Sequence, residues 1–220
     1  MPQAESALHT RTLTLPAVGT EGMLSLPDGA RGIVLFAHGS GSGRFSPRNT
    51  YVASALCNAG LATFLFDLLT DAEAADRAKV FDIPLLAQRL LLASEVVRQD
   101  SETRNLPVGY FGASTGAGAA LVAAAQAQFP IGAVVSRGGR PDLAGKALVK
   151  VQAPTLLIVG GLDHQVLALN QAALAQLGCE KDLQVVPGAT HLFEEPGTLD
   201  QVIGLARGWF CGHLGSRMQT

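Results

Sequence analysis

The sequence predicts an α/β protein, a mostly parallel sheet of eight strands with helices on both faces. Three observations carry this. Short, continuous apolar runs such as Ile33-Val34-Leu35-Phe36 recur along the chain, the mark of strands buried on both faces. From Gly32 onward such runs alternate with segments of helical spacing, and that alternation builds parallel sheets through right-handed crossovers. With 220 residues, 48% of them apolar and 15% charged, the chain fills one α/β domain and falls short of two with a linker. A single domain over 1–220 is therefore expected, with residues 1–10 as a flexible polar N-terminus and no second or cap domain.

Residues 10–15 and 22–26 alternate polar and apolar positions around Pro16-Ala17-Val18-Gly19, as two antiparallel edge strands joined by a hairpin do. Residues 32–37 form the first buried strand, followed by the Gly/Ser loop His38-Gly39-Ser40-Gly41-Ser42-Gly43-Arg44. Ser46 as N-cap and Pro47 at the first helical position start a helix to about Asn58. Residues 61–68 are the next buried strand. The acidic, Ala-rich stretch 70–80 reads as a surface loop with some helical turn, and 81–99 as a helix with Leu85, Leu86, Leu90, Val96 and Val97 on its apolar side. Strands at 108–111, 131–136, 155–159 and 183–186 then alternate with helices at 115–128, 142–149, 166–177 and 198–213. Gly178 is expected to cap the third of these helices.

Composition excludes several functions. A net charge of −2 leaves no electrostatic footprint for nucleic acid. Cys57, Cys179 and Cys211 are odd in number and lack C-x-x-C spacing, which argues for a reducing compartment and against disulfides or a zinc site. No signal-peptide pattern and no run long enough for a bilayer are visible. The expectation is a cytoplasmic protein, monomer or homodimer, that acts on a small molecule without metal or cofactor and binds neither nucleic acid nor membrane.

The chemistry centres on Gly112-Ala113-Ser114-Thr115-Gly116, placed between a buried strand and an Ala-rich helix. Strand, G-x-S-x-G, helix is the nucleophile-elbow pattern, in which a strained turn at positive φ lifts the serine hydroxyl above the sheet edge. A Gly/Ser-rich connecting loop is the plainer reading, and the partners decide between them. Asp163 follows the strand at 155–159 and His191 follows the last strand, so both stand at carboxyl strand ends, where open α/β sheets bind ligands. Serine needs an imidazole to take its proton, and the imidazole needs a carboxylate to set its tautomer. Asp163 alone could be a helix N-cap and His191 a loop histidine; the order Ser, Asp, His at three strand ends favours a triad. Asp142, Asp182, His9, His38, His164 and His213 are less well placed, and His38 is expected to brace its loop. An oxyanion hole requires two backbone N–H donors, assigned to Thr115 and Ser40. The Gly-rich loop lacks the lysine and spacing of a nucleotide-phosphate loop.

The HGSGSG loop, G-A-S-T-G, G-G-L-D-H, G-A-T-H-L-F and the turn S-R-G-G-R-P-D-L-A together resemble the dienelactone hydrolase-related branch of the α/β-hydrolase superfamily, over about residues 13–214. The resemblance implies an α/β-hydrolase fold and a hydrolase. Where dienelactone hydrolases proper carry a cysteine, this chain has Ser114, which points to a serine carboxylesterase. A thioesterase, amidase or acyltransferase on the same triad, or a non-catalytic binding protein of this fold, are the alternatives. Only 18 residues separate Ser136 from Thr155, leaving no room for a cap, so the site should be open and suited to short-acyl esters. Phe45 and Phe193 are expected to line it, Phe81 to line it or, the favoured reading, to pack in the core, and Arg44 with Arg137 to clamp an anionic group on the substrate.

Overall fold

A computed structural model describes residues 7–215. In chain order the elements are β1 (Leu8–Leu15), β2 (Thr20–Pro27), β3 (Ile33–Ala37), α1 (Pro47–Asn58), β4 (Ala62–Phe66), α2 (Asp71–Ala74), α3 (Arg77–Val80), α4 (Ile83–Gln99), β5 (Val108–Ala113), α5 (Thr115–Gln126), β6 (Ile131–Arg137), a 3-10 segment (Pro141–Lys150), β7 (Thr155–Gly160), α6 (His164–Gln176), β8 (Lys181–Val186) and α7 (Thr198–Leu214). The strands form one sheet in the order β1-β2-β4-β3-β5-β6-β7-β8. β2 runs antiparallel to both β1 and β4, and every other pairing is parallel. The chain steps outward from β3 to β4, then returns past β3 to β5. The winding therefore reverses between β3 and β5, and loops leaving neighbouring strands on opposite sides of that point open a crevice at their carboxyl ends.

Strand alternation sends successive side chains to opposite faces. Leu35, Phe64, Tyr110 and Val134 pack with Leu90 of α4 and Leu121 of α5. Phe36, Phe111, Val135 and Ile158 pack with Val52 and Leu56 of α1 and Phe210 of α7. β3, β4, β5 and β7 are buried along their whole length, which is why their sequences are apolar apart from Thr63 and Thr155. The Tyr110 hydroxyl inside the first core meets Ser94 Oγ at 2.8 Å, so that buried polar group is satisfied. Among the described residues no helix is long and apolar enough to cross a membrane, and all three cysteines are free.

Several elements differ from expectation. β1 starts at Leu8, so part of the polar N-terminal stretch is in the sheet; residues 1–6 of it lie outside the described residues. Residues 70–80 form two one-turn helices, each capped by its own side chain: Thr70 and Glu73 make a reciprocal capping box, and Asp76 accepts from the Ala78 N–H. α4 begins at Ile83 because Asp82 caps it, accepting from the Leu85 N–H at 3.0 Å. Phe81 is thus left at the end of α3, 49% exposed with the Arg77 guanidinium 5.7 Å from its ring, and is not a core residue. The 142–149 helix is 3-10 and broken at Gly145, whose φ is 51°. α6 ends when Leu177 turns extended (ψ 133°), so Gly178 is not a left-handed cap.

Candidate active site

Ser114 sits between β5 and α5 with φ 50° and ψ −121°, a conformation a non-glycine residue holds at a cost of roughly 1–3 kcal/mol. Its neighbours explain the motif. A Cβ on Gly112 would lie 2.5 Å from Ala117 Cα, and one on Gly116 would lie 2.1 Å from the Ala37 carbonyl oxygen. Glycine at both positions is therefore dictated by backbone approach. The turn is tied down by its own amides: Ser114 N–H donates to the Arg137 carbonyl at 3.3 Å, and the Ser114 carbonyl accepts from Arg140 N–H at 3.0 Å.

Asp163 follows β7 and occupies the N-cap position of α6, yet its side chain caps nothing. Instead Asp163 Oδ2 lies 2.6 Å from His191 Nδ1, and His191 Nε2 lies 3.3 Å from Ser114 Oγ. A hydrogen on Nδ1 donated to the carboxylate leaves Nε2 free to accept. The His191 turn is held from both sides. Thr190 donates its hydroxyl and N–H to Glu195 at 2.6 and 3.1 Å, and the hydroxyl bond foremost holds the Glu195 carboxyl below its usual range. A Cβ on Gly160 would come within 2.4 Å of the Ala189 carbonyl, so glycine lets the turn lie over the end of β7. Phe193, at φ 56° and 2% exposed, packs into the core beneath. It anchors the turn and is not a wall of the site, which corrects the expectation for that residue.

The loop after β3 lies against Ser114: a Cβ on Gly39 would stand 3.0 Å from Ser114 Cβ. The Ser40 N–H, expected to face a substrate, donates to Thr115 Oγ1 at 3.1 Å. The N–H groups of Thr115 and Gly39, beside Ser114, have no acceptor among the described residues, so Gly39 replaces Ser40 as the second candidate donor. Its sequence signal was the small residue immediately after His38. His38 braces this loop as expected. Its Nε2 accepts from the Leu68 N–H at 3.1 Å, which places the ring hydrogen on Nδ1, 3.1 Å from the Gly39 carbonyl.

Burial lowers the His38 pKa, with the Gly39 carbonyl opposing. The unfolded chain then binds a proton more readily, so the contribution of His38 to stability is complete above about pH 6.5, the ordinary histidine value, and is lost as pH falls through the lowered folded value. The difference in Tm between wild type and His38→Gln should shrink from pH 8 to pH 5. A constant difference would mean that His38 is not protonated at the expense of folding.

A cavity of about 440 Å³ opens beside this loop and Thr115, with Leu69, Val80 and Leu86 among its apolar lining. Phe45, 70% exposed, borders this cavity. Arg44 also borders it, but its guanidinium is engaged, with Asp67 at 2.6 Å and Glu21 at 3.0 Å, so the expected clamp lacks this arm. Arg140 is likewise held by Asp142 at 2.7 Å. Arg137 is buried, and its Nε and Nη1 have no partner among the described residues. The remaining candidates are engaged elsewhere: Asp182 with the Leu183 N–H, His213 with Glu180, and His9 near Asp28.

No family model matches the chain. A crystal structure of dienelactone hydrolase from Anabaena variabilis is 54% identical, covers 95% of this chain and 99% of its own, and superposes with a TM-score of 0.89. The chain belongs to the dienelactone hydrolase-related branch of the α/β-hydrolase superfamily. Est1E from Butyrivibrio proteoclasticus, at 14% identity, shares the fold with a TM-score of 0.78 over 94% of this chain and 99% of its own. Two curated Mycobacterium tuberculosis proteins, provisionally named phosphoribosyl transferases, are 62% identical over 197 residues. That match takes in 90% of this chain and 44% of theirs, so the chain spans less than half the length of these relatives. Dienelactone hydrolase-related membership supports a hydrolase.

Proposed function

We propose that this chain is a serine hydrolase of carboxylic esters with small or short acyl groups, working through an acyl-enzyme. The observation that carries the reading is the continuous line Asp163–His191–Ser114, with separations of 2.6 and 3.3 Å. In the first half-reaction Ser114 Oγ attacks the ester carbonyl carbon as its proton passes to His191 Nε2. Asp163 stabilises the imidazolium, and the N–H groups of Thr115 and Gly39 receive the negative charge forming on the carbonyl oxygen. Collapse expels the alcohol, which takes the proton from His191. Water then repeats the sequence, attacking the Ser114 ester, losing its proton to His191 and releasing the acid. Both halves use only side chains and amides of this chain. Thioesters would enter by the same steps.

The transferase name of the mycobacterial relatives describes proteins of more than twice this span. Phosphoribosyl transfer uses the acceptor's own nucleophile, so an activated serine has no task in it. The proposal is tested with p-nitrophenyl esters from acetate to palmitate. An uncapped site beside a cavity of about 440 Å³ should give a maximal rate between acetate and butyrate and no interfacial activation. Faster hydrolysis of palmitate than of butyrate would contradict the short-acyl assignment.

A further inference from the structure

At the sheet edge opposite Ser114, where β3, β5 and β6 begin at Ile33, Val108 and Ile131, a second cavity of about 1100 Å³ opens. Glycines make room for its floor. A Cβ on Gly32 would stand 2.7 Å from Leu214 Cβ, and one on Gly132 would stand 2.5 Å from Leu214 Cδ2. A Cβ on Gly109 would lie 2.9 Å from the Phe210 ring. Three neighbouring strands thus carry glycine at or near their starts, and the last turn of α7 settles onto them. Leu214 then forms an apolar floor with Leu106, Pro107, Val108, Phe129 and Pro130.

The rim is cationic. Arg31, Arg98 and Arg104 border the cavity, and among the described residues no aspartate or glutamate does. The Arg104 side chain makes no hydrogen bond or ion pair among the described residues. Arg31 donates from Nη2 to the Ala59 carbonyl at 2.9 Å, which leaves Nε and Nη1. Arg98 lies 4.1 Å from the centre of the Phe129 ring and meets Glu95 through Nη1 alone, at 3.3 Å. The other carboxylates close by in sequence or space are turned to other partners: Asp28 to His9, Glu102 to Arg11 and Glu180 to His213.

Three like charges around an apolar floor are complemented by an anion whose body is apolar. The body is aliphatic, because little here could read the polar edge of a nucleobase. Among the described residues bordering the cavity, only Asn105 and His213 carry a neutral side-chain acceptor, and His213 is engaged by Trp209 and Glu180. We propose that this groove binds an aliphatic carboxylate of medium or long chain, its head on the arginines and its tail along Leu106, Phe129 and Leu214. The inference is independent of the hydrolase reading, since the groove and Ser114 lie at opposite ends of β5.

The test is titration of the purified protein with decanoate below its micellar concentration. Calorimetry gives the affinity. Trp209, the single tryptophan, gives the location, because its ring is 4.5 Å from that of His213 at the cavity. Decanoate should bind saturably, change the Trp209 emission, and bind about tenfold tighter than decanol, which lacks the charge. Butyrate should bind about a hundredfold more weakly than decanoate, because it lacks most of the methylene groups. Arg98 and Arg104 are exposed, so Arg98→Gln combined with Arg104→Gln should leave the Tm near that of wild type and remove the preference for decanoate over decanol. Arg104→Gln alone, which breaks no side-chain bond among the described residues, should lower that preference in part.

Absence of saturable decanoate binding, equal binding of decanol, or an unchanged preference in both variants overturns the proposal. So does competitive inhibition of p-nitrophenyl acetate hydrolysis by decanoate that persists in the double variant, which would place the binding beside Ser114. A groove closed by a second copy of the chain overturns it as well, and would show in sedimentation as a dimer that Arg104→Glu converts to monomer.

Discussion

Ser114→Ala is expected to lower kcat for short p-nitrophenyl esters by about a thousandfold or more, the scale on which nucleophile removal acts in triad hydrolases. It should also abolish fluorophosphonate labelling. The loss is chemical: the Oγ that lies 3.3 Å from His191 Nε2 is the candidate nucleophile, and none of the three cysteines stands at the elbow to replace it. The fold should survive. Ser114 makes no side-chain capping bond to α5, and its backbone bonds to Arg137 and Arg140 do not need the hydroxyl. A melting temperature near that of wild type, measured beside the kinetics, shows that the loss is chemical. Residual activity above about a thousandth of wild type would remove Ser114 as the nucleophile.

Asp163→Asn should cut kcat by roughly 10⁴, with a Tm close to that of wild type. An amide donating to His191 Nδ1 at the 2.6 Å contact would hold the ring with its hydrogen on Nε2. Nε2 would then face Ser114 as a donor and could not accept the hydroxyl proton. Stability should change little because Asp163 caps no helix. Asp142→Asn and Asp182→Asn serve as controls: Asp142 is held by Arg140, and Asp182 accepts from the Leu183 and Gln184 side of β8. Near-normal turnover in Asp163→Asn with a crippled Asp142 or Asp182 variant would assign the acid elsewhere.

The sequence by itself determined a mostly parallel sheet of eight strands and the order Ser114, Asp163, His191 at its carboxyl edge. Both are written locally. A strand buried on both faces must be continuously apolar, and an elbow whose Cβ positions would fall within 2.5 Å of other backbone atoms must be glycine there. The start of α1 was legible because Ser46 and Pro47 mark it, whereas the caps Thr70, Asp76 and Asp82 went unread.

Only the tertiary structure decided which groups remain free at the site. Ser40 lost its N–H to Thr115, 75 residues away, which leaves Gly39 as the candidate donor. Arg44 was claimed by Glu21 and Asp67, each 23 residues distant, while Arg137, of the same chemistry, met no carboxylate among the described residues. Phe193 turned inward because a core formed by β3, β5, α1 and α7 lay beneath it, and Phe81 stayed outside because Asp82 started the helix after it. A residue's type states what it can bond, burial and distance settle what it does bond, and both are set by segments that meet only when the chain has folded.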